Sequence, residues 1–218
     1  MKWYPKMLGV YGDDAPWNEH CVAFDKLDGS NLRFEFSHKR GWYKFGTRNR
    51  MFDKNDSEFG GAIDIFLTKY GEPIAKLMKD KYKKTESAIA FAEYFGPVSF
   101  GGLHDPVYLN QIGRIPEVVS NDPKDVVLFD FNLHKKGFLA PTEFLDQFSN
   151  LSIPKVVYQG RLTKDFFEDV RANKYGLIEG VVCKGGSGHN LWMKKIKTND
   201  YLAEIRRVFG TGWSEHWE

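Results

Sequence analysis

Residues Phe24-Asp25-Lys26-Leu27-Asp28-Gly29-Ser30-Asn31 decide how the rest of the chain is read. The run Cys21-Val22-Ala23-Phe24 predicts a strand entering this stretch, and Asp28-Gly29-Ser30-Asn31 has the composition of a tight turn. Lys26 thus stands beside a turn that can bring backbone close to a ligand. A lysine there can attack an electrophile once its environment lowers its pKa, because only the neutral amine is a nucleophile. Lys-x-Asp-Gly alone is a weak signal, and a solvated lysine beside a hairpin explains it equally simply. The neighbouring elements have to discriminate.

Downstream, Leu32, Phe34 and Phe36 alternate with Arg33, Glu35 and Ser37, which predicts a half-buried strand. Lys39-Arg40-Gly41 turns it into a hairpin with 42–46, and the return strand ends at Thr47-Arg48-Asn49-Arg50, placing a guanidinium near the level of Lys26. Residues 57–83 have helical spacing (Ile63, Phe66, Leu67, Tyr70), broken near Gly71-Glu72-Pro73. An apolar strand over 88–95 carries one carboxylate, Glu93, which should pair or bind something, since burying it unpaired is costly. A Gly- and Pro-punctuated connection follows over 97–123, with a short helix expected at 112–119. Further strands are predicted at 126–133, 177–184 and 191–197, and helices at 141–149 (capped at Thr142 or just before), 163–173 and 200–209, the last stopped by Gly210. Residues 1–20 read as a loop-rich lead-in.

Composition sets bounds. The 218 residues, 42% hydrophobic and 16% aromatic, suit a globular chain with a sizeable core and no repeat, linker or domain boundary. A net charge of +2 means that any nucleic-acid surface is a local patch. Lys76, Lys79, Lys81, Lys83 and Lys84 form one such patch, better read as a solvated face, and Lys194, Lys195 and Lys197 another. Cys21 and Cys183 have neither disulfide-framework nor zinc spacing and are expected as buried free thiols in a reducing cytosol. The absence of a signal peptide and of a membrane-spanning apolar run gives the expectation of a cytoplasmic protein with no membrane partner.

Six separated signals occur in one order: Lys26-Leu27-Asp28-Gly29-Ser30-Asn31, Thr47-Arg48, Glu93-Tyr94-Phe95-Gly96, Phe129-Asp130-Phe131, Glu179-Gly180-Val181-Val182-Cys183-Lys184 and Lys195-Ile196-Lys197. Together they resemble the covalent nucleotidyltransferase superfamily of polynucleotide ligases and mRNA capping enzymes, over about residues 21 to 200. Asn31 closes the lysine motif where DNA ligases and capping enzymes usually carry Arg, so the chain is most similar to the adenylyltransferase domain of RNA ligases of the RNA ligase 2 type. Two departures stand out. About 20 residues follow Lys197, which predicts one adenylyltransferase domain over 1–218 without an appended C-terminal or OB domain, and the 97–125 connection exceeds the family's usual spacing.

The resemblance implies an α+β, ATP-grasp-like nucleotidyltransferase fold: two packed, mostly antiparallel sheets flanked by helices, with the nucleotide between them. It implies that Lys26 attacks the α-phosphate of ATP, that AMP passes to a 5′-phosphate end, and that a 3′-hydroxyl displaces it. Each transfer gathers negative charge, so the site needs aimed cations. Lys195 and Lys197, two residues apart on a strand, share a face. By resemblance they hold the α-phosphate, and they should depress the pKa of Lys26. The resemblance further assigns Glu179 to Mg2+ or Mn2+, Glu93 to the ribose, Phe129 to base stacking and Asp25 to the adenine. It gives Asn31 and Arg48 to phosphate or ribose contacts. Plain alternatives remain for three of these residues: an ion-paired Glu179, a core Phe129, and a structural salt bridge in place of a phosphate contact for Lys184. The implied function is ATP-dependent sealing of RNA, at a nick in a duplex, with a protein partner able to stand in for a second domain. A minimal ATP-dependent DNA ligase and a non-sealing nucleotide- or RNA-binding module are the rivals, and the complete set of Lys26, Glu93, Glu179, Lys195 and Lys197 argues against the latter, since binding needs no nucleophile.

Overall fold

The computed structural model describes residues 4–10, 15–96 and 123–212, so the helix expected at 112–119 lies outside the described residues. In chain order the strands are β1 (Leu8–Gly9), β2 (His20–Asp25), β3 (Ser30–Ser37), β4 (Gly41–Thr47), β5 (Met51–Phe52), β6 (Ser87–Phe95), β7 (Asp125–Leu133), β8 (Gly137–Phe138), β9 (Val156–Arg161), β10 (Gly180–Gly185) and β11 (Trp192–Lys197). The helices are α1 (Gly60–Phe66), α2 (Glu72–Asp80), α3 (Pro141–Phe148), α4 (Lys164–Arg171) and α5 (Asn199–Phe209). One sheet has the order β1-β11-β10-β2-β9 and the other β5-β4-β3-β6-β7-β8. Every described pairing is antiparallel except β1 with β11. This is the expected α+β arrangement of two packed sheets and outer helices. Among the described residues no helix is long and apolar enough to cross a membrane.

Alternation along β2 explains how the two halves join. Val22 and Phe24 face a large core with Leu32, Phe34, Phe66 and Phe144, while Cys21 and Ala23 face a smaller one with Leu162, Phe166 and Val181. Phe34 stacks on Phe66 with ring centroids 3.7 Å apart, fixing α1 on the six-stranded sheet. Thr163 and Thr198 cap α4 and α5 by accepting from the backbone N–H of Phe166 and Tyr201. The two thiols are buried neighbours, and the hydrogen bond between them lowers the Cys21 pKa and raises that of Cys183.

Several expectations need correcting. The lead-in contains β1, paired to β11 through Leu8 and Lys194. Strand β3 is buried on both faces: Arg33 is 1% and Glu35 8% exposed. Alternating polarity predicted a wet side, but the two charges are buried together as an ion pair, with Arg33 Nε 3.7 Å from Glu35 Oε1 and the guanidinium donating to Met51 Sδ. The break at 71–73 is instead a widened π turn, Leu67–Gly71, joining α1 to α2. Pro73 has no N–H for an α-type bond to Lys69, and its ring would crowd that carbonyl, so the wider turn relieves both. Helix α3 is preceded by Ala140, with Pro141 opening it and no side-chain cap. The strand predicted over 177–184 starts only at Gly180, leaving Glu179 at its mouth.

Candidate active site

The chain delivers its polar residues to one place from strand ends. Lys26 follows β2 and is fixed there by its own N–H donating to the Gly180 carbonyl at 2.9 Å. Asn31, at the start of β3, lies opposite Glu93 of β6, and the pairing of Leu32 with Thr47 brings Arg48 to the same level. Gly180 pairs with Lys197 and Val182 with Lys195, so β10 and β11 carry their groups together. Gly180 has φ of +152°, and a Cβ there would collide with the Ile196 carbonyl; this is why Glu179 is followed by glycine. All ten residues singled out in the sequence line a single cavity of about 730 Å³ between the sheets.

Its centre is a buried carboxylate shared by two ammonium groups. Lys26 Nζ donates to Glu179 Oε2 at 2.6 Å, and Lys197 Nζ lies 3.3 Å from Oε1. Glu179 itself is 2% exposed. The expectation that neighbouring lysines depress Lys26 is overturned. Burial does work against its charge, but Glu179 and then Glu93 outweigh it, and the Lys26 pKa is raised. It is Lys197 that is lowered, by burial first and then by the positive charge of Lys26, in spite of Glu179.

Glu93 is half-buried, and its pKa is pushed up to about 8, chiefly by burial; Glu179 and Asp28 add to the rise while Lys26 opposes it. Asp25 is raised by burial, against the pull of Lys155. Lys195 lines the cavity on the same side as Lys197. Phe129 borders it as well and belongs to neither core, whereas its neighbour Phe131 is fully buried. For Lys184 the geometry shows the ion pair: 5% exposed, it lies 2.9 Å from Asp130 Oδ2 and donates to the Phe129 carbonyl at 2.8 Å. Arg50, just beyond Arg48, is engaged elsewhere, paired with Asp56 and Glu58.

Residue-by-residue reading missed two tyrosines. Tyr201, which α5 places beside Lys197, donates to Asp28 Oδ2 at 3.1 Å, and the Lys197 ammonium lies 5.0 Å from its ring centroid. The threonine cap ahead of it was the available signal. Tyr4 bonds Asp130 at 2.9 Å from a stretch with no periodicity to mark it.

Glu179 supplies hard oxygen donors of the kind that magnesium or manganese takes. Such ions are commonly held by one or two carboxylates together with water and substrate phosphate. Among the described residues no group of three or more His, Cys, Asp or Glu is placed to hold a metal, so the donors fit a substrate-assisted site and not a closed protein cage. A cavity lined by the buried Glu179 carboxylate and by Lys26, Lys184, Lys195, Lys197 and Arg48 is built to receive a polyanion and to hold an amine against it.

A family model described as RNA ligase matches residues 19–196. No curated protein matches the chain significantly. Among solved structures the chain is similar to a Naegleria gruberi RNA ligase mutant with AMP and Mn (TM-score 0.64, 14% identity, 94% of this chain and 58% of that one). It is also similar to a putative ATP-dependent DNA ligase from Aquifex aeolicus (TM-score 0.62, 16% identity, 99% of this chain and 57% of that one). An archaeal ATP-dependent RNA ligase gives a TM-score of 0.60 at 16% identity, over 96% of this chain and 52% of that one. At these identities the likeness is one of fold, and the chain spans little more than half the length of each.

Proposed function

The chain belongs to the RNA ligase family, and from that premise we propose that it is an ATP-dependent RNA ligase whose nucleophile is Lys26, with residues 1–218 forming one adenylyltransferase domain. The observation that carries this reading is the pair of contacts from Lys26 and Lys197 to the two oxygens of Glu179 inside a cation-lined cavity. Lys26 Nζ, held as an ammonium by Glu179 in the ligand-free chain, first gives a proton to solvent, and the neutral amine attacks the α-phosphorus of ATP. The bond to the β-phosphate oxygen breaks, pyrophosphate leaves, and a second proton passes from nitrogen to solvent as the phosphoramidate forms. The AMP phosphorus then passes from Nζ to a 5′-phosphate oxygen of RNA. Finally a 3′-hydroxyl attacks the 5′-phosphate, expels AMP and gives up its proton.

Lys195 and Lys197 stand where charge gathers on the α-phosphate oxygens, and Lys197 is the more easily deprotonated of the close pair. Glu179 holds both ammonium groups in the absence of substrate. A divalent ion, with Glu179 as its protein ligand, supplies further positive charge at the phosphates. Glu93, mostly protonated at neutral pH, can both donate to and accept from ribose hydroxyls, and Phe129 offers a ring to the base. Asp25, Asn31 and Arg48 complete the contacts to base, ribose and phosphate. Asn31 and the family match favour RNA as the polynucleotide, and the buried free thiols Cys21 and Cys183 favour a reducing cytoplasm. The distinguishing experiment compares nicked duplexes with RNA or DNA at the nick. Faster sealing of the RNA nick is expected; faster sealing of the DNA nick makes the chain a small DNA ligase, and labelling without any sealing reduces it to an activation module.

A further inference from the structure

Tyr4 enters ahead of β1 and is only 3% exposed. Its hydroxyl donates to Asp130 Oδ2 on β7 at 2.9 Å and lies 3.2 Å from Met193 Sδ on β11, so one side chain ties the two sheets together at the cavity wall. Its ring meets Phe129 edge-on, with centroids 5.0 Å apart at 90°, and is itself wedged against Phe91 at 5.1 Å and Phe138 at 5.5 Å. The same Asp130 oxygen receives Lys184 at 2.9 Å, and Lys184 also holds the Phe129 carbonyl. Phe129 is therefore gripped twice, by the perpendicular ring of Tyr4 and by Lys184 on its backbone, and both grips meet at Asp130. Burial and the Asp130 carboxylate raise the Tyr4 pKa well above the ordinary value, so the phenol stays a donor throughout the working pH range.

We propose that Tyr4 is a positioning residue for nucleotide binding: it sets the plane of Phe129 and locks the Asp130–Lys184 pair behind it, so that the base meets a rigid platform. The role rests on the base-stacking proposed above for Phe129. An aromatic face bordering an open cavity loses rotational freedom when a base stacks on it. A neighbour that has already fixed the ring removes that cost from binding. The consequence is specific to the base. Lys197, which shares Glu179 with Lys26, pairs with Gly180 at the opposite end of the β10–β11 ladder from Lys184 and Met193, so Tyr4 should govern affinity for ATP without governing capture of the α-phosphate or the attack by Lys26.

The test uses the full chain, with Lys26 adenylylation as the assay and thermal unfolding of each variant as a check. Tyr4→Leu should raise KM for ATP by about tenfold, the ratio corresponding to ~1.4 kcal/mol, with kcat little changed. Inhibition by inorganic tripolyphosphate, which has no base, should be unaltered. Tyr4→Phe, which keeps the ring and loses the hydrogen bond to Asp130, should fall between Tyr4→Leu and the parent. In a Phe129→Leu background neither Tyr4 substitution should add to KM. If Tyr4→Leu fails to fold, Tyr4→Phe with and without Phe129→Leu carries the same comparison. The proposal is overturned by an unchanged KM, by equal weakening of tripolyphosphate and ATP, or by a full Tyr4 effect in the Phe129→Leu background. A parent chain that takes no label from ATP overturns it together with the ligase reading, whereas a labelled parent with an unmoved KM overturns the role of Tyr4 alone.

Discussion

Glu93→Gln should stabilise the ligand-free protein, and the gain should depend on pH in a calculable way. In the folded chain burial holds the Glu93 pKa at about 8, against 4.5 for an unperturbed glutamate. The folded state therefore binds the proton more tightly than the unfolded state. The stability linked to that proton is fully present below pH ~4.5 and is lost as pH rises through about 8. The loss grows at ~1.4 kcal/mol per pH unit, reaching about 3 kcal/mol at pH 7 and levelling near 5 kcal/mol above pH 8. Glutamine has the shape of the protonated acid and no such loss. Urea unfolding of both proteins in EDTA, from pH 4.5 to 8.5, reads the term, because titrations not coupled to Glu93 cancel in the difference. The variant should match the parent near pH 4.5 and exceed it at pH 7 by about 3 kcal/mol. A difference that stays constant across this range would refute the reasoning, since it would mean that Glu93 ionises as an ordinary carboxyl.

Glu179→Ala and Lys197→Ala should each cost about a hundred- to thousandfold in the rate of lysine adenylylation, the ~2.7–4 kcal/mol typical of one preorganised contact to developing charge. Near-parental labelling by a folded variant removes that residue from the phosphate site. Sealing at subsaturating nicked RNA should fall steeply as salt rises, because polynucleotide binding releases condensed counterions. Adenylylation, which uses a small substrate in a cavity, should respond much less; equal salt sensitivity of the two steps contradicts a mainly electrostatic grip on RNA.

What could be read in advance follows from the physics of each signal. Period-two alternation and glycine-punctuated turns marked most of the strands, whereas Lys26, Glu93, Glu179 and Lys197 were picked out as a set by the resemblance to the nucleotidyltransferase superfamily. Alternation cannot tell whether a polar face meets water or other charges, which is why Arg33 and Glu35 were expected to be wet. The charge state of Lys26 was misjudged for a related reason. Sequence separation shows which lysines share a strand, but not that a buried carboxylate sits 2.6 Å from Lys26. The strand end at Thr47–Arg50 placed a guanidinium near Lys26, but it could not show that Asp56 and Glu58, only a few residues away, engage Arg50. Tyr4 was invisible because its role comes wholly from contacts 126 and 189 residues distant in sequence.

The central claim is that Lys26 becomes covalently joined to AMP. Incubating the purified protein with ATP labelled at the α-phosphate and a divalent ion, then running a denaturing gel, tests it directly. A labelled band is predicted for the parent and none for Lys26→Ala or for Lys26→Arg, whose guanidinium stays protonated and cannot attack phosphorus. Undiminished label on Lys26→Ala, or no label on the parent protein, would contradict it.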